Sequence, residues 1–198
     1  MSFLRLDGLG MSARRVDGVG VYLRPPELRD HEPWAALRGA SRGYLTPWEP
    51  TWAEDELSRA SFRYRLRRYA DDIREGRAYS FLVFRTSDDS LTGGVTLSRV
   101  QRGVGQMCAL GYWAGAAFAG QGYTTAAVRA VVGFAFSDLA LHRVEAACQP
   151  NNPGSRRVLE KAGFQPEGFA RAYLRINGDW RDHLLFAILS TDPIGTSA

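Results

Sequence analysis

The sequence predicts an α/β fold of the α+β kind: a mixed, mostly antiparallel sheet of seven strands flanked by helices. Three observations carry that expectation. "YSFLVFR", "GGVTLSRV" and "GQMCALGYW" are successive β-branched and aromatic runs divided by "SDDS" and "QRG", the pattern of an antiparallel meander. The third run leads through the glycine turn "AGQGY" into a helical stretch and then the strand "HRVEAAC". Such a crossover puts a parallel pair into the sheet. Finally, "ARAYLRI" and "WRDHLLFAIL" flank Asn177-Gly178, the strongest short hairpin signal available.

Taken in order, residues 1–17 mix Gly, Asp and Arg with little periodicity and read as a loose extension, with Met11 as an alternative start. Residues 18–192 read as one domain and 193–198 as a flexible tail. "GVYLRPP" is a first strand stopped by prolines, after which Asp30 is placed to cap a helix through Trp34 and Leu37 to about Ser41. "YLTPWEPTW" carries too much proline to be helix throughout and reads as a loop bearing Trp48 and Trp52. From Glu54 to Glu75, Phe62, Leu66, Tyr69 and Ile73 recur at helical spacing while Arg59, Arg63 and Arg67 take another face. That basic face reads as a solvated helix surface in preference to an RNA contact.

Behind the glycines, Val128, Val131, Val132, Ala135, Phe136 and Leu139 follow the stripe of a buried helix. "NPGSRRVLEKAGF" is a complete short helix in itself, with Asn152 as N-cap, Pro153 in the first turn and Gly163 at the end.

With 198 residues, 45% of them hydrophobic, the chain is long enough for one full core. A formal charge of +4 suits acidic small molecules or RNA without requiring either, and no direct DNA binding is expected. Cys108 and Cys148 lack metal-ligand spacing and read as buried thiols, so no metal is expected. No apolar run is long enough for a signal peptide or a bilayer span, so the expected location is the cytoplasm, with no membrane partner.

A strand leading through glycines into a helix N-terminus presents several backbone N–H groups in one direction, with the helix dipole behind them. Phosphate fits that geometry. A P-loop needs Gly-Lys-Ser/Thr, yet Lys161 is the sole lysine. A dinucleotide fingerprint needs a third glycine where Thr125 stands, and a doubly wound parallel sheet in place of a meander. The pyrophosphate of coenzyme A and a turn that binds nothing remain.

The stretch from "YWAGAAFAGQGYTTAAV" to "NNPGSRRVLEKAGFQPEG", with "YLTPWEP" before it and "INGDWRDHLLFAIL" after it, resembles the GNAT acyl-CoA N-acetyltransferases. Within them it is similar to the RimJ and RimL group of ribosomal-protein alanine acetyltransferases, over roughly residues 19 to 190. The resemblance implies acetyl-CoA as co-substrate, bound where the sheet splays. It implies that Gly120, Gln121, Gly122, Tyr123, Thr124 and Thr125 bind the pyrophosphate mainly through backbone amides. Tyr112, Trp113 and Ala114 would lie beside the pantetheine arm and offer amides to the acetyl oxygen.

Ala119 and Thr124 depart from the family's pattern. So does Ala147, where some relatives carry a carboxylate base, and Leu159, where some carry a tyrosine acid. Asn152 and Ser155 match the Rim pattern, in which the serine faces the CoA sulfur and protonates the leaving thiolate. Their bland alternative is a helix cap and an early-helix residue. Trp48 and Glu49 are candidates for the acceptor site. His142 and Arg143 match the family text, with local packing as the histidine's ordinary role. Asp182 and His183 read as hairpin or core partners.

The implied acceptor is a protein N-terminus, a ribosomal protein among the candidates. A small amine such as an antibiotic or polyamine is the alternative, with Glu49, Glu54, Asp55 and Glu56 as an acidic pocket. A CoA-binding, ribosome-associated protein without catalysis is a third reading. Assembly as a homodimer is compatible with all three.

Overall fold

A computed structural model describes residues 15–195. Its centre is one eight-stranded sheet in the order β1-β2-β3-β4-β5-β6-β8-β7. The strands are β1 (Val16–Gly18), β2 (Val21–Arg24), β3 (Tyr79–Arg85), β4 (Leu91–Gln101), β5 (Met107–Ala114), β6 (Arg143–Cys148), β7 (Gln165–Ile176) and β8 (Asp179–Leu189). The helices are α1 (His31–Ala40), α2 (Arg42–Leu45), α3 (Arg59–Arg74), α4 (Tyr123–Ser137) and α5 (Pro153–Ala162). All neighbours pair antiparallel except β5 and β6, which are joined through α4 and run parallel.

The eighth strand corrects the expected seven. Val16–Gly18 pairs with Val21–Leu23 across Val19-Gly20, with Gly20 at φ 72°, inside what reads as a loose extension. A three-residue strand containing Asp and Gly leaves no periodic trace. Residues 1–14 of that extension, and residues 196–198 of the expected tail, lie outside the described residues. The start of the tail is docked: Gly195 N–H donates to Ala162 O at 3.2 Å and Ile194 packs on the core.

Alternation within the strands sorts the two faces. Cys108, Leu110, Val144, Ala146, Phe186 and Ile188 point to one side, where Val128, Val131, Val132 and Leu159 of α4 and α5 meet them in the main core. Leu82, Phe84 and Leu91 point to the other and pack with Trp34 and Phe62 of α1 and α3. Each fully buried aliphatic of this kind contributes about 1.5 to 3 kcal/mol of transfer free energy.

Two helix starts differ from expectation. The long helix begins at Arg59 and not at Glu54, because Ser58 is extended and its hydroxyl accepts the Ser61 N–H at 3.1 Å. Asp30 precedes α1 without capping it. Its carboxylate instead accepts both guanidinium nitrogens of Arg24, at 2.6 and 2.8 Å, and the Glu27 N–H at 2.6 Å. The arginine face matches its reading, since Arg59, Arg63 and Arg67 are all exposed.

One irregularity of the sheet prepares the site. β5 stays paired with β4 as far as Ala114, but its parallel pairing with β6 stops at Leu110↔Ala146. Beyond that point the two strands diverge. From Gly111 to Ala114, backbone groups that point toward β6 find no strand there.

Candidate active site

A cavity of about 630 Å³ opens over this splay. Its lining includes Tyr112, Trp113 and Ala114 of β5, Gly120, Gly122, Thr124 and Thr125 at the start of α4, and Asn152 and Ser155 at the start of α5. Trp48 and Glu49 complete it from the proline loop. The expected site residues therefore converge, except that the side chains of Gln121 and Tyr123 turn away. Gln121 Nε2 donates back to Ala117 O at 2.7 Å, and the Tyr123 ring sits edge-on to Phe118.

The glycines behave as the turn requires. Gly120 and Gly122 have φ of 74° and 88°, and a Cβ on either would meet no protein atom within 4 Å. The first intrahelical bond of α4 runs from Ala126 N–H to Gly122 O at 3.0 Å. The N–H groups of Tyr123, Thr124 and Thr125 precede it, so they gather at the positive end of the helix with no acceptor inside it.

On the facing wall, Asn152 Oδ1 caps α5 by accepting the Ser155 N–H at 2.9 Å, which fixes the serine at the cavity rim. Ser155 Oγ lies 2.7 Å from the Tyr112 hydroxyl, and either can donate. The same phenol can donate to the Ser155 carbonyl at 3.1 Å. Burial pushes the Tyr112 phenol well above the ordinary tyrosine range, against the opposing effect of its bond to Ser155. It is therefore protonated at neutral pH. Burial likewise raises the Cys148 thiol, again opposed by Ser155.

One family departure is explained by packing: Leu159 is fully buried in the core, where a phenol would have no access to the cleft. Ala147 lies on the opposite face of the sheet from α5, and nothing in the packing explains it. Sequence reasoning missed Arg157 and Lys161, one turn apart on α5, which line the cavity and make no ion pair among the described residues. Their only signal is the i, i+4 spacing of two cations on an otherwise capped helix.

A second cavity, of about 340 Å³, opens on the other face of the sheet. It shares Trp48, Tyr112, Asn152 and Ser155 with the first, so the two meet at the splay. Its walls include Gln149, Tyr173 and His183, together with Arg99, Arg143, Glu145 and Glu167. Gln149 Nε2 donates to Pro47 O at 3.1 Å and Asn177 N–H to Glu49 O at 2.9 Å, which ties the proline loop down between the cavities.

Glu49 is occupied. Its carboxylate accepts both terminal nitrogens of Arg38, at 3.1 and 2.6 Å, and the Trp52 indole N–H at 2.7 Å. Arg38 itself lies among the rings of Trp34, Trp52 and Trp113. Glu56 pairs with Arg65 and Asp55 accepts from Ser61; none of Glu54, Asp55 and Glu56 lines either cavity. His142 is exposed and bonds Ser190 Oγ at 3.1 Å, while Asp182 holds the Ala172 N–H at 2.7 Å. No helix among the described residues is long and apolar enough to cross a membrane, and no group of three or more metal-ligating side chains occurs among them.

Known proteins share this arrangement. Residues 21–165 match the acetyltransferase (GNAT) domain. The chain is 41% identical to a probable N-acetyltransferase, YjcK, of Bacillus subtilis, covering 88% of this chain and 97% of that one. It is 32% identical to the ribosomal protein uS5-alanine N-acetyltransferase of Escherichia coli, covering 83% and 86%. Among solved structures, RimJ of Mycobacterium smegmatis in complex with CoA-disulfide superimposes with a TM-score of 0.85 at 33% identity, covering 91% of this chain and 89% of that one. With its splayed sheet, its glycine turn and these relatives, the chain belongs to the GNAT family and is an acetyl-CoA-dependent N-acetyltransferase related to the ribosomal-protein acetyltransferases.

Proposed function

We propose that the protein acetylates the α-amino group of a protein N-terminus, a ribosomal protein being the favoured class. The observation that carries this reading is the pair of cavities that open on opposite faces of the sheet and share Tyr112 and Ser155. One takes the acyl donor and the other admits an amine to the same point. The 32% identity to the uS5-alanine enzyme supports a protein acceptor. The polyamine alternative loses its main support, because the acidic residues that would form its pocket are paired elsewhere or face away.

Acetyl-CoA supplies a thioester whose carbonyl carbon is attacked by the amine and whose thiolate departs. The chain's own residues do the rest. Amides of residues 121 to 125 bind the pyrophosphate, since they are the free donors at the head of α4. Arg157 and Lys161 add positive charge on the facing wall. Those amides between Tyr112 and Ala114 that point away from β4 hold the acetyl oxygen as it gains charge, a kind of contact whose loss costs about 2.7 to 4 kcal/mol of transition-state stabilisation. Ser155 protonates the departing sulfur. Trp48 shapes the passage between the cavities, and Glu49 lines the donor side beside it.

Tyr112 decides whether the serine can act. When the phenol donates to Ser155 Oγ, the serine's own hydrogen is free for the thiolate; when it donates to the Ser155 carbonyl, the serine must donate back to the phenol. The shorter of the two contacts, 2.7 Å against 3.1 Å, favours the productive arrangement.

The test is acetylation by the purified protein of a panel of N-terminal peptides and small amines, followed by intact-mass measurement. Mass gain by one acetyl group on an alanine-starting peptide is expected. Transfer to small amines alone would replace the protein acceptor.

A further inference from the structure

The chain lacks the carboxylate base of some relatives, with Ala147 at that position, and Glu49 is bound to Arg38 and Trp52. Another group lies on the acceptor side. His183 is on β8, where the register places Leu184 opposite Cys148 and hence His183 at the level of Gln149, beside the splay. It is 3% exposed and lines the second cavity.

Its ring is held in one orientation. His183 Nδ1 lies 3.0 Å from the Arg181 carbonyl, which can only accept, so Nδ1 carries the hydrogen and Nε2 the lone pair. Tyr173 packs edge-on against the ring with centroids 5.7 Å apart. A bulge in β7 aims that tyrosine: Ala172 takes φ 45° and Asp182 accepts its N–H. Nε2 has no hydrogen-bond partner among the described residues and is not sealed from solvent. A buried imidazole with one nitrogen fixed and the other open to a cavity has the arrangement of a general base.

We propose that His183 Nε2 is the general base that takes the proton of the acceptor amine, through one water in the second cavity. Proton flow then balances across the sheet. The amine nitrogen bonds the acetyl carbon and its proton passes to Nε2, while the carbon–sulfur bond breaks and the thiolate takes a proton from Ser155; solvent then returns a proton to the serine and takes the one held by His183, so the cycle closes. Charged and titratable groups facing the same cavity are Arg99 of β4, Tyr112 of β5, Arg143, Glu145 and Cys148 of β6, and Glu167 and Tyr173 of β7. Arg143 is paired with both glutamates, so its charge is balanced locally.

The inference rests on the proposed acetylation of an amine admitted from this cavity, and the experiment separates the two. His183→Asn keeps a donor for the Arg181 carbonyl but has no counterpart of Nε2. With the best acceptor found for the parent enzyme, kcat is expected to fall about 100-fold at pH 7, with acetyl-CoA affinity by calorimetry unchanged. The deficit should shrink as the assay pH rises, because hydroxide then increasingly takes the proton that the variant has no Nε2 to accept. A kcat within about threefold of the parent, or a deficit that stays constant with pH as a packing defect would, overturns the base.

A second measurement needs no variant. Carbethoxylation of the parent enzyme, mapped by mass spectrometry, should mark His183 and be blocked by the acceptor; marking that the acceptor leaves unchanged overturns the proposal. A parent inert toward every amine overturns both readings, whereas an active parent with an indifferent His183→Asn overturns only this one.

Discussion

Ser155 and Tyr112 form a pair in which neither hydroxyl acts alone. Removing the serine hydrogen bond donor and removing the phenol that releases it should therefore damage the same step. Ser155→Ala and Tyr112→Phe are each expected to lower kcat by about tenfold or more, with little change in acetyl-CoA affinity. The double variant should be little worse than either single one, since neighbours in one network are non-additive by about 0.5 to 3 kcal/mol. Additive losses in steady-state kinetics would show that the two hydroxyls act separately. Gly122 is a second test at this scale. Gly122→Asp puts a side chain into the left-handed region, at about 1 to 2 kcal/mol, and a carboxylate into the cleft beside the orphan amides. CoA affinity should fall by at least tenfold in calorimetry, and unchanged affinity would remove the turn from the binding site. Local signals gave Gly122 as a turn and Asn152 as a cap, because both are encoded by neighbours a few residues apart, while the candidacy of Ser155 came from the family resemblance. It placed Tyr112 in the site without its role, because the contact spans 43 residues of chain.

Among elements, the segment from Thr46 to Trp52, which opens with a 3-10 turn over Thr46–Trp48, depends on support from outside itself. Three groups hold it: Arg38 from α1, Gln149 after β6, and the Asn177 turn between β7 and β8. Arg38 matters most, because its side chain is only 8% exposed and Glu49 is its main counter-charge. Deleting one partner of a buried pair typically costs about 3 to 5 kcal/mol. Arg38→Met, which keeps the bulk among the indoles, is expected to lower stability in urea by about 3 kcal/mol, somewhat less than the full range because Glu49 is 20% exposed. It should also raise the acceptor's KM several-fold while leaving CoA affinity near that of the parent. A variant with unchanged KM would show that the loop keeps its place by other contacts. The proline loop was legible as an interruption, yet nothing local announces that its glutamate answers an arginine eleven residues earlier. β1 was hidden because it is too short for a period, while α4 was plain from its buried stripe and α5 from its caps.

At the scale of the whole molecule, the sheet is a partition with one opening. The two cavities lie on its two faces and meet where β5 leaves β6, so on the proposed reading both substrates can be bound together. A covalent acetyl-enzyme would need an activated nucleophile at that opening, and neither candidate qualifies. The Cys148 thiol is raised by burial, hence protonated at neutral pH, and Ser155 Oγ is bonded to a phenol that is itself held protonated and cannot serve as its base. Direct transfer in a ternary complex follows from this geometry. Initial-rate measurements with both substrates varied are expected to give intersecting lines in double-reciprocal form, and the enzyme incubated with acetyl-CoA alone should keep its unmodified mass. Parallel lines together with an acetylated Cys148 or Ser155 would mean that one of these side chains becomes nucleophilic, and that the splay serves two successive half-reactions at one site.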